Sequence, residues 1–341
     1  MHSKRGKLIR RGEGELALLE RIRRRANHHK NSALRLGIGD DCALLQLKRG
    51  EELAVTTDLS IAGRHFRLEW HPPDVIGHRS LARGLSDIAA MGARPAAAFL
   101  SLGLPRELTV PAWIDRFLDG FFALAGRNKV PLAGGDLAES PIAIADIVLL
   151  GAVPRGEALR RSGTRPGDRL YVTGVLGGAA AGLEFLGRLA GKSESPPSRI
   201  KPRIKTKDQW ALAPHLWPEP RITQGQWLRS HGKATAAIDI SDGLSTDLDH
   251  LCQESGVAAE VEAEALPIAP GATLQQALHG GEDYELLFTA KPAAKIPSNI
   301  AGVPITQIGR IVKRRRGVPR LVLINDSRRE PLQRHGWEHF S

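Results

Sequence analysis

The sequence predicts an α/β (α+β) protein of two domains, each a mixed sheet with helices packed on it. Three observations carry this expectation. At 341 residues the chain is long for one hydrophobic core and is expected to divide in two. Apolar runs of strand length alternate with stretches of 3.6-residue periodicity, as in layered α/β folds. Both halves also repeat one design, in which a strand-like run leads to an acidic turn. The acidic turns are Gly39-Asp40-Asp41, Thr56-Thr57-Asp58, Ser86-Asp87, Gly134-Gly135-Asp136, Asp239-Ile240-Ser241-Asp242-Gly243 and Gly280-Gly281-Glu282-Asp283.

In chain order, Leu16, Leu19 and Ile22 stand at helical spacing, so residues 13–25 are expected to form a helix whose basic end suits its dipole. Residues 53–57 read as a strand ending at Asp58, and 74–91 as a helix stopped by Gly92 with Pro95 beyond. A strand at 96–104 and an amphipathic helix at 110–128 follow. Strands at 130–133, ending at Gly134-Gly135-Asp136, and at 142–153 complete a first domain, 1–154. The second domain, 155–341, opens with a strand at 168–173 and the glycine-rich stretch 174–178 leading into an alanine-rich helix. Residues 191–209 are rich in Pro, Ser and Lys without periodicity and read as a basic loop insertion. Helices at 223–230 and 243–255, with strands at 234–240, 258–261, 284–289, 305–311 and 321–324, build the second mixed sheet.

Hydrophobic content of 42% and charged content of 25% describe an ordinary globular chain rather than a disordered one. No apolar stretch approaches the roughly 20 residues that span a bilayer. Met1 to Arg5 is basic but leads into no apolar segment of a secretory signal, so a cytoplasmic protein is expected. Cys42 and Cys252 alone support neither a disulfide framework nor a cysteine-based zinc site. The net charge of +11 is peripheral. Residues 4–30 carry +7, 192–207 carry +5 and 310–334 carry +7, which leaves −8 on the remainder, where most of the acidic turns lie. Arg21 to Arg25, Lys201 to Lys207 and Lys313 to Arg316 would be the contacts of a nucleic-acid-binding protein. They lack interleaved aromatics and any recognised module, so a nucleic-acid partner is not expected.

Carboxylates at strand ends, beside open backbone N–H groups, suit magnesium and phosphate, because Mg²⁺ takes oxygen ligands and bridges carboxylates to substrate phosphates. A single Asp-Gly pair is an ordinary turn. Adjacent Asp40 and Asp41 repel unless solvated or bridged by a cation. Asp239 and Asp242 bracket Ser241 at a helix entrance where one capping residue would be enough, which favours a metal–phosphate site. The loop Gly174-Val175-Leu176-Gly177-Gly178 either approaches a phosphate or starts a closely packed helix, and without a following Lys-Ser/Thr it is no P-loop. Protein-kinase motifs, a Gly-x-Ser-x-Gly elbow and His-Glu-x-x-His spacing are all absent. His28, His29 and His78 read as surface residues, Trp337 as a packing residue, and His65 as the histidine to single out.

Taken together, these segments closely resemble thiamine-monophosphate kinase: 36–45, Val55 to Asp58 with His65-Phe66, 85–93, Gly134-Gly135-Asp136, 161–168, 239–243 and 280–286. That family shares a superfamily with aminoimidazole ribonucleotide synthetase and selenophosphate synthetase. The resemblance implies two α/β domains, with the N-terminal sheets of two subunits closing a barrel at a homodimer interface. It implies Mg²⁺-dependent transfer of the γ-phosphoryl group of ATP to thiamine monophosphate. Asp41, Thr56, Thr57, Asp58, Asp87, Asp136, Asp239 and Asp242 would then hold metal, and Gly135, Arg161 and Ser241 would contact nucleotide. His65, Glu282 and Trp337 would contact thiamine monophosphate. No general base is implied; Asp58 and Asp242 would act through metal. Leu137 stands where a threonine is usual in the family. The absence of a cysteine upstream of Gly39-Asp40-Asp41 disfavours selenophosphate synthetase, and that of a C-terminal cysteine disfavours hydrogenase-maturation chemistry. Neither the 192–207 segment nor the basic segment from Arg310 is absorbed by the resemblance.

Overall fold

The computed structural model describes residues 14–26, 31–191 and 209–337. The basic insertion at 192–207, His28 and His29 lie outside the described residues. The first helix, α1 (Glu15–Ala26), buries the i, i+4, i+8 stripe Leu18, Ile22 and Ala26. Leu16 and Leu19, expected on the buried face, are exposed. Its basic end is tied down by ion pairs from Arg21 to Asp115 and from Arg25 to Asp119.

A small hairpin, β1 (Leu34–Leu36) and β2 (Leu44–Leu45), carries Gly39-Asp40-Asp41 at its tip. There follow β3 (Glu51–Ile61), α2 (Pro73–Ala90), β4 (Arg94–Leu104), α3 (Pro111–Arg127), β5 (Leu132–Glu139) and β6 (Ile144–Pro154). The first sheet has the order β3-β6-β4-β5, with only β4 and β5 parallel. Pairing carries two strands past the acidic turns that were expected to end them. Antiparallel register with β6 runs on from Asp58, opposite Ile147, to Ile61, opposite Ile144. Likewise β5 runs through Gly134-Gly135-Asp136 beside β4. Gly135 makes this continuation possible. It has φ +151° and lies so close to β4 that a Cβ would stand 1.8 Å from the Leu100 carbonyl oxygen.

The second half comprises β7 (Arg169–Thr173), α4 (Gly178–Gly191), α5 (Gln209–Leu216), α6 (Ile222–Ser230), β8 (Ala236–Asp239) and α7 (Leu244–Ser255). It continues with β9 (Ala258–Glu262), α8 (Leu274–His279), β10 (Leu286–Ala290), β11 (Asn299–Ile300), β12 (Val303–Val312), β13 (Leu321–Asn325) and β14 (Arg328–Pro331). Among the described residues these strands form a mixed sheet, β14-β13-β9-β12-β7-β10-β8, with β11 paired to β12. The elements the sequence did not predict, β1, β2, β11, β14, α5 and α8, run from two to eight residues. That is too short for periodicity to separate them from loops.

The helix that positions the site is α2, which buries fourteen of its eighteen residues. Pro73 fits its first turn, where a missing N–H costs nothing. One continuous apolar core joins Leu81, Leu85 and Ile88 of α2 to Leu100 and Ile147 of the first sheet and to Leu286 and Phe288 of the second. Among the described residues no helix is long and apolar enough to cross a membrane.

Candidate active site

The site grows from α2, because Arg79, Arg83 and Asp87 recur every four residues along one stripe of the helix. The alternation of β3 sends Thr56 and Asp58 toward the same helix, while Asp239 ends β8 beside it. Thr56 donates its hydroxyl to Asp87, and Ser86 donates to Asp239 Oδ2 at 2.6 Å. Arg83 Nη2 reaches Asp58 Oδ1 at 3.4 Å, and the buried Asp58 Oδ2 has no hydrogen-bond partner.

These carboxylates carry more negative charge than their surroundings balance. Burial, together with Asp87 and Asp146, pushes Asp58 up to about 6 against the pull of Arg83. Burial, Asp87 and Asp58 push Asp239 up to about 7, although Ser86 and Arg161 oppose. Asp87 is raised by burial against Thr56, Arg161 and Arg83. An oxygen-only, proton-hungry set with an orphaned carboxylate oxygen fits a hard divalent cation. Among the described residues, no three His, Cys, Asp or Glu side chains form a finished cation cage. The set therefore suits an ion that completes its shell with water and phosphate oxygens, as Mg²⁺ does.

The second part of the site is the turn after β8. Asp247, one turn inside α7, accepts from the backbone N–H groups of Ser241, Asp242 and Gly243, each at 3.1 Å. It fixes the turn ahead of the helix and does not cap it, since Gly243 holds the cap position and no side chain caps α7. Gly243 has φ +111°, and a Cβ there would meet the His279 carbonyl oxygen at 2.7 Å. Two other segments dock on this turn through the backbone. Glu282 and Tyr284 donate their N–H groups to the Ser241 and Ile240 carbonyls, and Trp337 donates to that of Asp242. Thus Ser241, Asp242, Glu282 and Trp337, far apart in sequence, meet in one place. Trp337 is 53% exposed there rather than packed in the core.

Glu282 sits in left-handed backbone, φ +68°, and its carboxylate accepts from Arg79 Nη2 at 2.6 Å. Burial would raise its pKa, but Arg79 overcomes this and holds it at about 2, with Arg83 adding to the effect. Arg79 also donates to the His215 carbonyl. His71 Nδ1 lies 3.0 Å from the Arg67 N and 3.1 Å from the Arg67 carbonyl oxygen, and His71 Nε2 and His215 Nε2 share a hydrogen bond at 3.0 Å. His215 Nδ1 faces Glu282 Oε2 at 3.7 Å. Burial and Arg79 push His215 well down, so it is neutral at pH 7 and its attraction for Glu282 is small.

The remaining predicted residues divide. Thr57 and Asp136 lie in cross-strand rows with Val148 and Asp146, on the sheet face opposite Asp58. The hairpin bearing Asp41 packs on that far face through Leu34, Ala43 and Leu45. Gly135 shares the row of Asp58, Ile147 and Leu100, at the opposite edge of the sheet. His65 Nδ1 accepts from the Ile61 N–H at 3.0 Å and shapes the turn after β3. Arg161 is exposed near Asp87 and Asp239. His78, expected at the surface, is buried against the Pro218 carbonyl and the Trp217 ring. In the glycine loop before α4, the N–H groups of Gly177 and Ala179 are taken by Asp283, so the helix-start reading holds. A cavity of about 260 Å³ beneath α1, lined by Leu18, Leu104, Arg106 and Leu137, contains none of the predicted site residues. Sequence reasoning missed Arg79, Arg83, His71, His215 and Asp247. The four-residue spacing of Arg79, Arg83 and Asp87 was the one readable signal for any of them.

Residues 39–155 match the family described as AIR synthase related protein, N-terminal domain, and residues 165–322 match its C-terminal domain. The thiamine-monophosphate kinase of Salmonella typhimurium is 38% identical, over 96% of this chain and 98% of its own. This chain belongs to the thiamine-monophosphate kinase family. The thiamine-monophosphate kinase structure from Stenotrophomonas maltophilia superposes with a TM-score of 0.75 at 39% identity, covering 91% of this chain and 96% of that one. AaThiL complexed with AMPPCP and TMP matches over 100% of both chains, with a TM-score of 0.72 and 29% identity. Within this kinase family fold, the segments at 55–58, 85–93, 239–243 and 280–286 converge around α2.

Proposed function

We infer that the protein transfers the γ-phosphoryl group of ATP to thiamine monophosphate, giving thiamine diphosphate and ADP. The observation that carries this is near-full-length likeness to thiamine-monophosphate kinases, one of them solved with AMPPCP and TMP. The nucleophile is a phosphate oxygen whose second pKa of about 6 leaves it deprotonated at neutral pH, so no general base is required. The obstacle is charge. Two anions at ~4 Å repel by ~4 kcal/mol per unit pair at an effective dielectric of ~20.

Magnesium is the proposed cofactor, and when bound it would neutralise that repulsion and favour an in-line displacement. Thr56, Asp58, Asp87, Asp239 and Asp242 would hold it around α2, where the orphaned Asp58 oxygen supports the assignment. Asp41, Thr57 and Asp136 form a second proposed group on the far face. Arg161, Ser241 and Gly135 are assigned to the nucleotide, with Arg161 placing positive charge beside the carboxylates. His65, Glu282 and Trp337 are assigned to thiamine monophosphate. Glu282, kept ionised by Arg79, offers a carboxylate to the cationic thiamine, and the exposed Trp337 ring offers a face for stacking.

A homodimer belongs to the same reading. The far face of the first sheet exposes Leu53, Val55 and Leu59 on β3. A second copy laid there would close two four-stranded sheets into a barrel and set the far-face group beside the interface. A cytoplasmic location, where ATP is abundant, accords with this chemistry.

The test is ADP release from ATP and Mg²⁺ with thiamine monophosphate, and with free thiamine as control. Turnover with the monophosphate alone is expected. Turnover with free thiamine only would overturn the substrate, and release of ADP with neither would overturn the activity.

A further inference from the structure

Among the cations around the site, Arg83 is under-used. Arg79 donates to Glu282 and the His215 carbonyl, and Arg221 donates to both oxygens of Glu285. Arg83 is only 19% exposed, yet its one hydrogen bond among the described residues, to Asp58 Oδ1, spans 3.4 Å. A charge-assisted pair normally closes to roughly 2.7–2.9 Å. Its Nε is buried without a partner, and so is Asp58 Oδ2, so the two side chains do not form the bidentate pair their shapes permit. A guanidinium held inside a protein with an unspent donor carries a desolvation penalty that only another acceptor can offset.

The position of Arg83 says what that acceptor is. It stands one helical turn from Arg79, which grips Glu282, and one turn from Asp87, which belongs to the carboxylate cluster. Its charge is felt by Tyr284 and Glu282 on one side and by Asp58 on the other. Arg83 and Arg161 both act on Asp87, and Arg161 acts on Asp239 as well. Arg83 therefore lies between the residues assigned to thiamine and those assigned to metal. That is where the phosphate of a bound thiamine monophosphate has to be if it is to meet the γ-phosphoryl group.

We propose that Arg83 binds the acceptor phosphate directly, its planar fork donating to oxygens that do not enter the new bond, and that it sets the preference for thiamine monophosphate over thiamine. This inference rests on the kinase reading above. Here Arg83 supplies a fixed positive charge to the acceptor, independent of bound cation. Its fork also aligns the phosphate, which a point charge would not do.

The test measures equilibrium binding of thiamine monophosphate, thiamine and AMPPCP to the wild type, Arg83→Gln and Arg83→Met, with melting temperatures to verify folding. Gln keeps a polar amide without the charge, and Met is the apolar substitute of similar length, so either variant that folds decides the matter. Affinity for thiamine monophosphate is expected to fall about 10- to 100-fold, the range for a charged hydrogen bond to phosphate. Thiamine is expected to bind as well as before or better, since a cation near its own charge is gone, and AMPPCP affinity should hold within about threefold. Equal weakening of thiamine and its monophosphate would overturn the proposal, because Arg83 would then merely shape the Glu282 pocket. Loss confined to AMPPCP would also overturn it. Wild-type turnover separates the two readings. A wild type inactive on thiamine monophosphate sinks the kinase reading, whereas an active wild type with unimpaired variants sinks only the role of Arg83.

Discussion

Glu282 and Asp58 are half-buried carboxylates within reach of the same α2 stripe, yet they are driven opposite ways. An intimate arginine holds Glu282 near 2, while a distant one leaves Asp58 near 6. A raised carboxylate pKa means the ionised form is disfavoured by the fold, so an ionised Asp58 is held at a cost in stability. We expect Asp239→Asn, measured without added cation at pH 8, to melt no lower than the wild type while turnover falls at least ~100-fold. A variant that melts far lower, or keeps near-normal kcat, would refute the metal assignment. His71 makes an independent test. Burial and Arg79 lower it to about 4, below the ordinary value of 6.5. Its folded pKa is depressed, so the unfolded chain takes up protons first as pH falls through 6.5 toward 4, and stability is lost across that window. Relative to His71→Phe, the wild type should lose about 3 kcal/mol between pH 7 and pH 4, read by urea unfolding at each pH. A pH-independent difference would show that His71 does not titrate this way. Chemistry decided what was legible at this scale. Acids beside glycines are unusual enough in aggregate to point at metal, and the structure sets Asp58, Asp87 and Asp239 within electrostatic reach of one another. Arg79, Arg83 and His215 resemble any surface cation in the sequence, because only tertiary packing buries them.

At the level of elements, helices and strands long enough to repeat their period were readable to within a few residues, α2 and α7 among them. Strand ends were not. Asp58 and Gly134-Gly135-Asp136 look like terminators locally, but the ladder partners β6 and β4 keep the strands going, and partners are invisible in a local pattern. The same non-local packing makes Gly135 irreplaceable. Gly135→Ala would force a Cβ onto the Leu100 carbonyl in a positive-φ backbone. A loss of at least ~3 kcal/mol, seen as a drop in the urea midpoint, is the expected outcome. Wild-type stability in this variant would mean that β5 does not run through that position. At the start of α4 the sequence left two readings open, and Asp283 decides between them by occupying the N–H groups a phosphate would need. A carboxylate about a hundred residues away gives no local sign of such a role.

For the molecule as a whole, the far face of the first sheet is where one chain looks incomplete. A β3 row of Leu53, Val55 and Leu59, each nearly half exposed or more, suits burial against a second copy better than contact with water. Val55→Glu should convert a dimer into monomers in sedimentation while leaving the far-UV spectrum unchanged. A wild type that sediments as a monomer would remove the barrel from the reading. The overall charge was legible only as a distribution. Its total pointed toward nucleic acid, whereas its placement set the acids apart from the basic ends.

The burial of α2 has one more consequence. The helix contributes to both sheets' packing at once, so neither half owns it. Cutting the chain near residue 155 would leave one fragment with an uncovered helix and the other with Leu286 and Phe288 open to water. The halves should therefore melt in a single calorimetric transition, and the severed pieces should stay soluble only when co-expressed. A single transition would mean one cooperative unit, built on the same helix that carries Arg79, Arg83 and Asp87.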